Sequence, residues 1–171
     1  MIWVGYQKHQ FDKKTWMDNG IGGSEYCAIK LSDYLDLHGH DVTIVGEVKE
    51  GNFWGVQYIH YNNFLKYMGP RGLNKVNNLQ VHSHYDVIIA TNYLNYFKHL
   101  EEAKITFDKN YFWLHNTGYY NWYRGNEMEN QDEYLRKVNK IVGVSEYHRD
   151  NLKDKFKALY DTPQQLDTYI H

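Results

Sequence analysis

Only one cysteine, Cys27, and two prolines occur in the 171 residues. A lone cysteine cannot close an internal disulfide, and no Asn-x-Ser/Thr sequon occurs, so the expected setting is reducing and cytoplasmic. No run approaches the roughly 18 consecutive apolar residues that a spanning helix needs. The start, Met1-Ile2-Trp3-Val4-Gly5-Tyr6, has neither the basic lead nor the apolar stretch of a signal peptide, although peripheral contact with a membrane stays open. Neither charge sign dominates: the net charge of -2 and the pI near 6.5 exclude a general nucleic-acid binder. There is no Gly-Lys-Ser/Thr, which excludes a P-loop.

What is present suits one domain over residues 1–171, since a chain of this size removes roughly 70% of its unfolded surface on folding. Aromatics make up 17% of residues, with 17 Tyr and 5 Trp. The accompanying Asn and Lys suggest AT-rich coding, so tyrosine abundance alone does not argue for a sugar site.

Strand-length apolar runs alternate with helical patterns, which predicts an α/β fold, a Rossmann-like three-layer sandwich with a mainly parallel sheet. Strands are expected at residues 2–6, 41–45, 56–60, 86–90, 111–115 and 141–144. Asp86-Val87-Ile88-Ile89-Ala90 reads as a central strand because it is a continuous, β-branched run. Ser24 is expected to cap a helix whose Ala28, Leu31 and Leu35 share a face and which stops at Gly39. A later helix carries Glu127, Glu129, Asp132 and Glu133 early and Arg136, Lys137 and Lys140 late, matching its dipole. Ser145 is expected to cap a last helix through Leu152 and Phe156. Residues 61–83 give no clear pattern.

Gly20-Ile21-Gly22-Gly23-Ser24-Glu25 stands at the start of the first long helix, where free N–H groups and the helix dipole favour an anion. A dinucleotide fingerprint would follow the first strand directly. Here thirteen residues separate Tyr6 from Gly20, and Glu25 takes the third glycine's place. The same displacement argues against an S-adenosylmethionine methyltransferase. A loop with no ligand remains the plain alternative.

This long loop ending in Gly-Gly-Ser-Glu resembles the first loop of the glycogen-synthase-like glycosyltransferases (glycosyltransferase family 4-like), a retaining family with the two-domain GT-B fold. The resemblance runs through "GGSEYCAIKLSDYLDLHGHDVTIVGE" and resumes at "YDVIIATN", "FWLHNTG" and "KIVGVSEYHRDNL". It implies that residues 1–171 form the N-terminal, acceptor-side half of a GT-B fold, with the C-terminal donor-binding domain supplied in cis or in trans. That domain's motif, a pair of glutamates eight positions apart, has no counterpart here. The implied reaction transfers a sugar from a nucleotide-diphosphate sugar, a co-substrate, to a saccharide or lipid-linked acceptor, with retention and with neither cofactor nor metal. By the same resemblance Gly22, Gly23, Ser24 and Glu25 face the donor phosphate or sugar.

His115 follows Tyr111-Phe112-Trp113-Leu114, which places it at the carboxyl end of a strand, where open α/β sheets form their ligand crevices. The resemblance makes it the catalytic residue, binding the donor sugar or assisting the transition state. An imidazole there can donate to a hydroxyl or steady developing charge, whereas the plain alternative is a histidine bonded to a loop carbonyl. The loop beyond it, with Asn116, Tyr119, Tyr120 and Trp122, is dense in the aromatics and amides that bind saccharides, and Asn92 and Tyr93 point to the same rim. These six are the candidate acceptor residues, although packing under the loop would also account for the aromatics.

Ten histidines raise a metal question, but His38/His40 and His82/His84 lack the helical i, i+4 spacing and the cysteine companions of a zinc site. No Asp-x-Asp occurs, as the other common glycosyltransferase fold would require. Glu47 sits where a ribose-binding acid would lie, but without an adjacent glycine turn it reads as a solvated loop acid. Two rival functions remain: a carbohydrate- or nucleotide-binding module without independent activity, and an NAD(P)-dependent oxidoreductase.

Overall fold

The computed structural model describes residues 1–67, 79–92, 94–116, 131–156 and 168–169. Its elements, in chain order, are β1 (Ile2–Gly5), α1 (Lys13–Asn19), α2 (Gly23–Leu37), β2 (Thr43–Gly46), β3 (Gly51–Phe53), β4 (Val56–His60) and a 3₁₀ helix (Tyr61–Tyr67). There follow β5 (His84–Thr91), α3 (Tyr96–Ala103), β6 (Thr106–Leu114), α4 (Gln131–Arg136), β7 (Lys140–Gly143), α5 (Glu146–Phe156) and β8 (Thr168–Tyr169).

The strands form one sheet in the order β3-β4-β2-β1-β5-β6-β7-β8. Every neighbouring pair is parallel except β3 with β4. Without β3, the first six parallel strands in chain order lie 3-2-1-4-5-6, the doubly wound order of a Rossmann-like fold. The chain reverses direction across the sheet between β1 and β5.

Side-chain alternation explains the two cores. In β1, Trp3 enters one cluster with Phe64, Leu100, Phe112, Leu135 and Leu152, which come from the 3₁₀ helix, α3, β6, α4 and α5. Its neighbours Ile2 and Val4 enter the other, with Ala28 and Ile29 of α2 and Ile44 and Tyr58 of the sheet. Helices therefore cover both faces, giving three layers, and the parallel strands at the centre are continuous apolar runs because water reaches neither side. Trp3 is fully buried and meets Phe64 edge to face at 5.5 Å between ring centres.

Strand ends differ from expectation by one or two residues at β1, β2, β5 and β7, and three larger departures have local reasons. Gly22, not Ser24, caps α2, and the Ser24 hydroxyl instead donates to Glu25 Oε2 at 2.8 Å. The first βα connection carries a helix of its own, α1, capped by Asp12 through the Thr15 N–H. Strand β6 begins at Thr106 rather than Tyr111, since the polar half of the strand still pairs with β5. Gly39 does stop α2, with φ of 83° just past the C-cap, and Ser145 does cap α5, accepting from the His148 N–H at 3.1 Å. Of the expected acidic helix start, Glu127 and Glu129 lie outside the described residues. Among the described residues no helix is long and apolar enough to cross a membrane.

Candidate functional site

In doubly wound sheets the ligand crevice opens beyond the carboxyl ends of the strands at the point where the strand order reverses. Here that point lies between Gly5, ending β1, and Thr91, ending β5. Asn92 follows Thr91 with φ of 56°, a left-handed conformation that asparagine tolerates better than most residues. The turn ties two strand ends together. The Asn92 N–H donates to the Trp113 carbonyl at 3.3 Å, and Asn92 Oδ1 accepts from the His115 N–H at 3.0 Å. Asn92, expected to contact an acceptor, thus spends its side-chain oxygen on fixing the backbone of His115.

His115 sits one residue past β6, at the predicted strand tip. Its ring packs against Trp113, with ring centres 4.4 Å apart, and its Nε2 is buried with no hydrogen-bond partner among the described residues. Burial, with neighbouring His148 adding to it, holds the His115 imidazole down at about 4, so the ring is neutral near pH 7. The neighbour follows from register. Leu114 and Gly143 are paired across β6 and β7, which sets His115 beside Val144, and His148 Nδ1 accepts from the Val144 N–H at 3.3 Å. That bond leaves the His148 proton on Nε2 when the ring is neutral. Gly143 permits this close seating of α5, for a Cβ there would lie 3.1 Å from the Arg149 nitrogen.

The glycine turn takes an unexpected form. The Glu25 carboxylate folds back over the start of α2, where a Cβ on Gly22 would lie 2.6 Å from Glu25 Oε2. Glu25 is buried, whereas Gly22 and Gly23 are exposed. The anion at this helix N-terminus is therefore the chain's own carboxylate, in the position a capping box gives its glutamate. A phosphate at this turn would meet that carboxylate.

Of the other expected site residues, Asn116 is exposed beside His115, while Tyr93, Tyr119, Tyr120 and Trp122 lie outside the described residues. Glu47 is not a solvated loop acid: its Oε1 meets His60 Nε2 at 2.9 Å, joining the carboxyl ends of β2 and β4. Of the four histidines set aside as metal ligands, His84 does lie with Asp86 and Asp108 near the amino ends of β5 and β6, ligand atoms within 4.8 Å of one another, all three exposed. A cavity of about 410 Å³ also opens at the amino edge, lined by Ile2, Leu35, Val42 and Val87 with Asp41 and Asp86 among its polar groups. It lies at the sheet edge opposite to the crevice.

Sequence reading missed Thr91, Trp113 and His148. Thr91 closes an apolar strand with a fully buried hydroxyl. Trp113 lies two residues before His115 and so on the same face. His148 is the third residue after a capping serine, a position where side chains reach back to the helix start. Comparison with models of known families, with curated proteins and with solved structures found no match for this chain.

Proposed function

We propose that this domain is the acceptor-side half of a GT-B glycosyltransferase, moving a sugar from a nucleotide-sugar donor to a glycan, lipid or other acceptor, with His115 in the catalytic role. The observation that carries the reading is the His115 imidazole: neutral, its backbone held by Asn92 at the carboxyl edge, and its buried Nε2 without a hydrogen-bond partner among the described residues. A neutral ring suits hydrogen bonding to a sugar hydroxyl better than it suits capture of a phosphate. The Glu25 carboxylate at the head of α2 supports the same assignment. A fixed carboxylate accepts from hydroxyls and repels a diphosphate, so the Gly22–Glu25 turn reads sugar, and the donor nucleotide falls to a second Rossmann-like domain in cis or in trans.

The test is transfer from a panel of labelled nucleotide sugars by the protein with its partner domain present. His115→Ala should lower turnover by roughly 100-fold or more, the usual cost of removing one positioned transition-state partner, with the thermal midpoint unchanged or raised. Undiminished turnover in that variant would remove His115 from the reaction. Saturable quenching or enhancement of NADH fluorescence by the domain alone would replace the whole reading with an oxidoreductase.

A further inference from the structure

The carboxyl ends of β5 and β6 hold three buried polar atoms without a hydrogen-bond partner among the described residues: Thr91 Oγ1, Trp113 Nε1 and His115 Nε2. They are neighbours. Thr91 and Trp113 are register partners across the two strands, and the Trp113 and His115 rings are in contact. They also share a face, because Ala90, Phe112 and Leu114, which alternate with them, all lie in the first core. Buried polar groups are nearly always paired, and isolated exceptions call for an explanation. Three exceptions side by side at the edge where this fold binds ligands call for the same one.

The three groups define what would satisfy them. The indole N–H only donates, the threonine hydroxyl donates and accepts, and a neutral imidazole offers one of each. Phosphate and carboxylate supply acceptors alone, and the imidazole here is uncharged. An ammonium supplies donors alone. A sugar ring carries vicinal hydroxyls that both donate and accept, on a body whose C–H face can lie against indole and imidazole. We propose that Thr91, Trp113 and His115 form a subsite for vicinal hydroxyls of a neutral pyranose. The proposal rests on the sugar-handling reading above and narrows it, since a bare diphosphate, which has no vicinal hydroxyls, does not match the three groups.

The test follows the Trp113 indole N–H resonance of the isotope-labelled chain, assigned by its loss in Trp113→Phe. The probes are methyl glucoside, methyl galactoside and methyl mannoside, with inorganic pyrophosphate as the charged counterpart. The expected result is a saturable shift with at least one neutral glycoside, absent with pyrophosphate, and an affinity about tenfold weaker in Thr91→Val, the loss of one hydrogen bond. Failure of every neutral glycoside to move the resonance up to its solubility limit, or binding undiminished in Thr91→Val, overturns the subsite. Two further outcomes separate it from the transferase reading. Turnover of a nucleotide sugar that is unchanged in both Thr91→Val and Trp113→Phe refutes the subsite while glycosyl transfer stands. A Thr91-dependent indole shift upholds the subsite even where no nucleotide sugar is turned over.

Discussion

Thr91→Val should make this protein more stable, the reverse of what a buried threonine usually shows. The Thr91 side chain has no exposed surface, and its hydroxyl has no hydrogen-bond partner among the described residues. An unsatisfied buried hydroxyl costs roughly 1–3 kcal/mol. Valine keeps the shape and the β-branching, so strand preference and packing barely change. A gain of about 1 kcal/mol follows, which for a chain of this length raises the thermal midpoint by about 2–4 °C. Urea titrations of both proteins, followed by tryptophan fluorescence, would show the midpoint moving up with an unchanged slope. A midpoint that moves down by a similar amount would mean that the hydroxyl is bonded in the native protein, and the argument for an unmet ligand contact at the end of β5 would fail with it.

Other substitutions probe the scaffold around the crevice. Asn110 is fully buried and exchanges hydrogen bonds with Asn139, its Oδ1 accepting from the Asn139 N–H at 2.7 Å and its N–H donating to Asn139 Oδ1 at 2.8 Å. Asn110→Ala should cost about 2–4 kcal/mol in chemical denaturation by orphaning that clamp between β6 and the turn into β7. Gly22→Ala displaces the Glu25 carboxylate from the head of α2 and should cost about 1 kcal/mol. Its effect should vanish in a Glu25→Ala background, where the side-chain atoms that the new Cβ meets are gone, which a double-mutant cycle measures. The pH dependence has a defined sign. His115 protonates at about 4 in the native protein and at 6.5 when unperturbed, so the unfolded chain binds the extra proton between those values and stability falls as pH drops from 6.5 to 4. In His115→Gln that part of the decline should disappear from denaturation midpoints measured across the window.

The sequence announced its sheet most clearly where water is excluded from both faces. The middle of β5 reads as an apolar β-branched run, and the α/β class follows from the alternation of strand-length runs with helices. Polar strands were less legible. Thr106–Asn110 looks like loop because Thr106, Asp108 and Lys109 are exposed polar residues and its pairing with β5 is a long-range fact. The hairpin partner β3 is three residues long and carries no periodicity. At the site, a histidine after an apolar strand was a local signal and placed His115 correctly. The Asn92 bridge was not local, since it joins two strand ends 23 positions apart. Thr91 and Trp113 looked like core positions by pattern, and only the missing partners of their polar atoms distinguish them. The glycine turn was found, but its content was hidden: a carboxylate at the third helical position reads equally as a solvated acid and as the built-in anion that the fold makes of Glu25.

The most direct test of the account is an amide chemical-shift map of the labelled domain titrated with a panel of UDP-, GDP- and ADP-sugars. Perturbations that gather at Glu25, Thr91, Asn92, Trp113 and His115, with no comparable response to NADH, would place the donor sugar at the carboxyl edge, as the account predicts. Perturbations that gather instead around Asp41, Tyr85 and Asp86 at the amino edge, or that appear with NADH and not with any nucleotide sugar, would contradict it.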